Sequence, residues 1–287
     1  MTAVAQFIAA FEAAGIVPPD TIIADGKIHR FGASGKSCWY VLHLDGIPAG
    51  TFGDWKTSHS ETWSAKSSSD MTVSERQAMR ARVELVQRQR VDEQRQQNCN
   101  AAANALAIWN ECELVKTHAY LIRKGIASHG VRTDGHHLCI PLRDTDGALH
   151  SLQTISPDGT KRFLPGGRVR GCYFAIGKPA LTIVIGEGFA TCATVHEATG
   201  HAVAVAFNAG GLMPVAIALR EKYPKMAIIV AADDDWQTPG NPGMKAAREA
   251  AQRVSGKLAV PIFNGLVRGV KDTDFNDLHR LAAGAAT

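Results

Sequence analysis

The chain has 287 residues, 45% hydrophobic and 20% charged, with a formal net charge of +4 and an isoelectric point near 8.7. That size and balance predict about two domains with a sizeable core; no run reaches the roughly 18 apolar residues of a membrane span, and a slightly basic protein suits a nucleic-acid partner without demanding one. Six scattered cysteines, none in a C-x-x-C pair, exclude a zinc ribbon and a disulfide framework, and predict reduced, mostly buried thiols in a cytoplasmic protein.

The N-terminus, MTAVAQFIAAFEAAG, lacks a basic region before its apolar residues, so it predicts a short amphipathic helix over about 3–14 rather than a signal peptide. KIHRF, WYVLHL and GTFGDW follow as strands separated by turn residues, a β-meander. Residues 1–65 are thus expected to form a small leader domain. Gly35-Lys36-Ser37 is not a phosphate-binding loop, because the required earlier glycine would fall at Arg30 and a strand follows. Gly32–Gly35 instead predicts a hairpin turn. Trp39, Trp55 and Trp63 are assigned to the core of this domain.

A Ser-rich linker at 64–72 leads into a stretch rich in Arg, Gln, Glu and Ala with Ser74 as its N-cap. It predicts one long exposed helix, with a break near Asn98–Asn100. Residues 66–115 are therefore expected to be a helical linker. Residues 116–178 are strand-rich, with Asp-Gly hairpin turns at Asp146–Gly147 and Asp158–Gly159. His136, His137 and Cys139 do not make a metal site, since alternation along a strand separates neighbouring side chains.

From residue 180 strands and helices alternate: LTIVIGEG, FATCATVHEATG, HAVAVAFN, LMPVAIALREKYP, MAIIVAADDD, a helix over 242–255, and KLAVPIF. Apolar strands alternating with helices predict a parallel α/β sheet covered on both faces. Ligands bind such sheets outside the carboxyl ends of the strands. There stand Gly186-Glu187-Gly188, Asp233-Asp234-Asp235 and Lys271-Asp272-Thr273-Asp274. A single Asp run after a strand is the composition of a turn and helix cap. Three acidic groups after successive strands repel one another unless a cation neutralises them, and oxygen ligands select Mg²⁺ or Mn²⁺. Alternation puts Asp233 and Asp235 on one side and leaves Asp234 as the spectator.

The order strand–Glu-Gly–helix, strand, helix, strand–Asp-x-Asp resembles the TOPRIM domain of primases, topoisomerases, RecR-type proteins and certain nucleases. That resemblance implies a parallel sheet flanked by helices over 179–287, with Glu187 as acid or base and Asp233 and Asp235 on Mg²⁺. Asp272 and Asp274 stand where DnaG-type primases carry a second acidic pair. Bacterial DnaG-type primases have an acidic residue four positions after the Glu; here it is Thr191. HAYLIRKGI, CIPLRDTDGALHSLQTISPDGTKRFLPGG and GEGFATCATVHEATG resemble the TOPRIM primases of plasmids, phages and integrative elements.

The resemblance implies a primase that makes RNA primers on single-stranded DNA from nucleoside triphosphates, with a separate helicase or other replication protein as partner and no membrane. Arg143, Lys161, Arg162, Arg168, Arg170 and Lys271 are the candidate nucleic-acid or triphosphate contacts. A Mg²⁺-dependent nuclease and a non-catalytic DNA-binding accessory protein are the other two readings left open.

Overall fold

The computed structural model describes residues 1–32, 37–54, 59–66 and 71–285. The turn expected just after Gly32, Trp55, and residues 67–70 of the expected linker lie outside them. The chain divides into two compact units, Met1–Asp92 and Glu93–Thr287.

In the first unit, helix α1 (Ala3–Ala13) starts on Thr2, whose hydroxyl accepts the Ala5 N–H. Strands β1 (His29–Phe31), β2 (Cys38–His43), β3 (Ala49–Asp54) and β4 (His59–Ser64) form an antiparallel sheet in chain order. Phe7 and Phe11 project from one face of α1 onto Tyr40, Leu42 and Phe52 of the sheet. The Phe11 and Phe52 rings stack with centroids 4.2 Å apart, and Trp63 closes on Phe7 at 5.4 Å. Strand β4 went unpredicted because HSETWS is polar and mostly exposed, with no apolar alternation to mark it.

Helix α2 (Val73–Glu111) runs unbroken where an interruption was expected. Gln94 and Gln96 donate to Asn98 and Asn100 one turn on, which gives those asparagines helical partners.

In the second unit, β5 (Glu113–Leu114), helix α3 (Ala119–Lys124), β6 (Arg132–Thr133), β7 (Leu138–Arg143), β8 (Leu149–Ile155) and β9 (Lys161–Phe163) build an antiparallel sheet of order β5-β6-β7-β8-β9, with α3 beside it. Strand β10 (Phe174–Ile176) then passes to a second sheet. That sheet continues with β11 (Thr182–Gly186), α4 (Phe189–Thr199), β12 (Ala202–Val205), α5 (Ala209–Lys222), β13 (Ala227–Ala231), α6 (Pro242–Arg253), β14 (Lys257–Ala259) and α7 (Phe275–Ala285). Its order is β10-β12-β11-β13-β14; all pairings are parallel except β10 with β12.

Alternation along the parallel strands divides the core in two. Ile183, Ile185, Ile228 and Val230 pack toward α5 and α6. Val184, Val203, Val205 and Ala231 pack toward α4, where Phe189 and Ala193 meet Leu138, Ile140, Leu142 and Ile155 of the antiparallel sheet. The two sheets therefore share one core. Among the described residues no helix is long and apolar enough to cross a membrane. Cys112, Cys139, Cys172 and Cys192 are buried; all six thiols are free.

Candidate metal centre

β11 and β13 are hydrogen-bonded parallel neighbours, so their carboxyl ends, Gly186 and Ala231, finish side by side. Glu187 and Asp233 emerge there together. Gly186 has no room for a side chain: a Cβ would lie 2.8 Å from the Cys192 sulfur.

Asp235 is fixed by the start of α6. Its Oδ2 accepts the Gly243 N–H at 3.0 Å, and its own N–H donates to Asn241 Oδ1 at 2.9 Å. Asn241, at φ +42°, also caps the helix by accepting the Met244 N–H. A carboxylate at a helix N-terminus meets unpaired N–H groups and the positive end of the helix dipole. Gly243 is required by this proximity: a Cβ there would stand 2.8 Å from both Asp233 O and Asp235 Oδ2, and 3.2 Å from Glu187 Oε1.

Asp234, the expected spectator, has structural work. Its Oδ1 accepts from Asn241 Nδ2 at 2.6 Å, and its Oδ2 pairs with Arg268 at 2.8 Å. Arg268 also donates to Asp234 O at 2.8 Å and to Asp272 O at 2.7 Å. Its guanidinium lies 4.2 Å from the Phe263 ring centroid and 5.0 Å from that of Trp236. One side chain thus ties the Asp-Asp-Asp turn to the loop bearing Asp272. Arg268 was not found from the sequence, because it sits in an irregular loop 34 positions from its partner.

Asp274 caps α7 by accepting the Asp277 N–H on Oδ1 at 2.9 Å, and its Oδ2 accepts the Thr191 hydroxyl at 2.8 Å. Helix α7 is pinned by buried Asn276, which donates to Lys124 O and to Thr194 Oγ1, each at 2.8 Å, and by an Asp277–Lys124 pair at 3.3 Å. Asp272 turns its Oδ2 back on the Gly269 N–H at 2.7 Å.

Glu187 Oε1 and Asp233 Oδ1 are buried with no hydrogen-bond partner. Burial, then the negative charge of Asp235, pushes Glu187 up to about 7, against the pull of Lys161. Burial, then Glu187, Asp274 and Asp235, raises Asp233 to about 8, again against Lys161. Lys161 is exposed by surface area. Crowding around its ammonium pulls its pKa below the ordinary lysine value, although Asp274 and Asp233 favour its charge. Its Nζ lies 3.6 Å from where a Cβ of Gly188 would stand.

Mutually repelling carboxylates with orphaned oxygens beside a helix N-terminus are a fit for a hard divalent cation. Among the described residues no three His, Cys, Asp or Glu side chains converge as a ready-made cage. Mg²⁺ does not need one, because it takes one or two carboxylates and keeps waters.

The basic candidates separate. Lys161 pairs with Ile155 at one end of β8, and Arg143 pairs with Leu149 at the other. At about 3.3 Å per residue that is about 20 Å. Of these two, Lys161 is the one brought to the carboxylates. Arg143 donates to Gly147 O, and Arg168 pairs with Asp144 at 3.2 Å, beside His150 at 2.6 Å from the same oxygen. Arg162, Arg170 and Lys271 are exposed.

Residues 182–285 match the family model of the Toprim domain, a family of domains that generally depend on divalent metal. Two proteins named DNA primase TraC from Escherichia coli are similar to the chain. One is 40% identical over 262 residues, 84% of this chain and 24% of its own length. The other is 37% identical over 287 residues, 92% of this chain and 20% of its own length. The chain thus spans about a quarter or less of these relatives. The primase fragment of the bacteriophage T7 primase-helicase protein is 21% identical, with a TM-score of 0.43 over 59% of this chain and 71% of that one. Residues 182–285 thus carry a Toprim domain, within a longer stretch similar to part of DNA primase TraC.

Proposed function

We propose that the chain makes short RNA primers on single-stranded DNA by metal-dependent nucleotidyl transfer, in the replication of a mobile element or phage. The observation that carries this reading is the meeting of one lysine with a cluster of carboxylates whose inner oxygens, Glu187 Oε1 and Asp233 Oδ1, lack partners. Similarity to TraC primases over most of the chain points the same way.

Asp233, Asp235 and Asp274 would hold Mg²⁺ or Mn²⁺, with Asp272 two residues before Asp274. When bound, the ion supplies positive charge to the transferring phosphate. The 3′-hydroxyl of a primer or initiating nucleotide attacks the α-phosphate of an incoming triphosphate, and pyrophosphate leaves. Glu187, whose Oε1 is buried without a partner beside the other carboxylates, is suited to take the hydroxyl proton. Lys161 offsets negative charge on the triphosphate. Arg162, Arg170 and Lys271 are assigned to the template strand, and Arg143 and Arg168 to its continuation at the far end of β8. A helicase or other replication protein is the expected partner.

The test is a priming assay with circular single-stranded DNA, labelled ribonucleotides and Mg²⁺ or Mn²⁺, resolved on a denaturing gel. Short labelled products from the wild type and none from Asp233→Ala support the reading. Equal products from both would sink the site assignment. Degraded DNA without products would identify a nuclease instead.

A further inference from the structure

Beyond the carboxylates, one surface stands out. Trp236 directly follows Asp235 and leaves 44% of its surface exposed. The loop carrying its partner Arg268 exposes Ile262 at 66%, Val267 at 94% and Val270 at 68%. Large apolar side chains left this open in a loop, rather than folded inward, call for a binding role.

The indole is not loose. The Arg268 guanidinium lies over both Trp236 and Phe263, and is itself held by three hydrogen bonds to Asp234 and Asp272. Trp236 donates its backbone N–H to Asp234 O at 2.7 Å. An aromatic plane fixed on an anchored arginine, one residue from a phosphate-handling carboxylate, is a stacking surface prepared before its ligand arrives. The exposed Lys271 follows in the same loop.

We infer that Trp236, backed by Arg268, is a base-stacking platform for single-stranded nucleic acid at the mouth of the carboxylate site. Its ligand is a nucleobase, a flat π-face carried on an anionic backbone, and Lys271 supplies the complementary cation. Stacking accepts any base, so the platform holds the strand without reading its sequence. The inference rests on the nucleotidyl-transfer reading for its biological sense, and its test does not.

The test measures anisotropy of labelled oligo(dT), and of an abasic strand of equal length, in EDTA and low salt. Wild type, Trp236→Phe and Trp236→Leu are compared, with melting curves for each. Trp236→Leu keeps apolar bulk without a ring. It is expected to weaken oligo(dT) binding about 5- to 150-fold, to leave the abasic strand unchanged, and to melt as the wild type does. Trp236→Phe should stay within a few-fold of wild type. Unchanged oligo(dT) binding by Trp236→Leu, equal loss of both strands, or no binding by the wild type would overturn the inference. No turnover is involved, so a failed priming assay leaves this result standing.

Discussion

Thr191 and Asp274 lie 83 positions apart and meet through a 2.8 Å hydrogen bond in which the threonine hydroxyl donates to the carboxylate. Thr191 stands four residues after Glu187, where the resemblance to bacterial DnaG-type primases led to the expectation of an acid. A hydroxyl donor stands there instead, and the carboxylate it meets caps the start of α7.

Thr191→Val should therefore cost about 1 kcal/mol of stability through the lost hydrogen bond. Thr191→Asp adds a like charge beside Asp274. It should lower the melting temperature in EDTA and recover more than wild type does when Mg²⁺ is added. Melting curves with and without the cation check both.

Stability should depend on pH in a defined direction. Glu187 and Asp233 are raised to about 7 and about 8. Between about pH 4 and 8 the folded chain thus binds more protons than the unfolded one, and metal-free stability falls as pH rises through that window. Asp233→Asn should flatten the fall and raise the melting temperature at pH 8 in EDTA. Mg²⁺ should stabilise the wild type more at pH 8 than at pH 5.5, by about 2.7 kcal/mol at a hundred times its dissociation constant. Asp233→Asn should lose most of that response.

Arg268→Ala removes three hydrogen bonds and leaves Asp234, a half-buried carboxylate, without its cation. The expected cost is about 1–3 kcal/mol, discounted for partial exposure. Arg268→Lys should recover little, because an ammonium cannot span Asp234 and Asp272 as the fork does. Denaturant melts of the three proteins decide this.

Gly243→Ala places a methyl where Asp233 O and Asp235 Oδ2 leave 2.8 Å. A cost of about 1–3 kcal/mol should come with a weaker apparent affinity for Mg²⁺, measured by calorimetry at pH 8.

The parallel sheet was legible because its strands are apolar runs and its helices begin and end on recognisable residues, such as Pro242 and Gly200. The strand ends then located Glu187, Asp233 and Asp235 at one edge. Grouping Arg143 with Lys161 ignored a signal that was available. Two Asp-Gly turns flank a single strand, so they must sit at its opposite ends. Arg268, Asn276 and the indole of Trp236 carried no periodic signal; their roles arise from contacts between segments distant in the chain. Polar β4 was hidden for the opposite reason, having local structure without an apolar pattern.

The limits of the Toprim match do not mark a piece that can stand alone. Strand β10 lies before residue 182, yet it covers the open edge of β12, and the antiparallel sheet covers the α4 face of the core. A chain beginning at Thr182 would present a bare β edge beside uncovered Phe189, Val203 and Val205, a template for strand-to-strand aggregation. The heritable module and the soluble one have different borders, and the second begins well upstream, at or before α3.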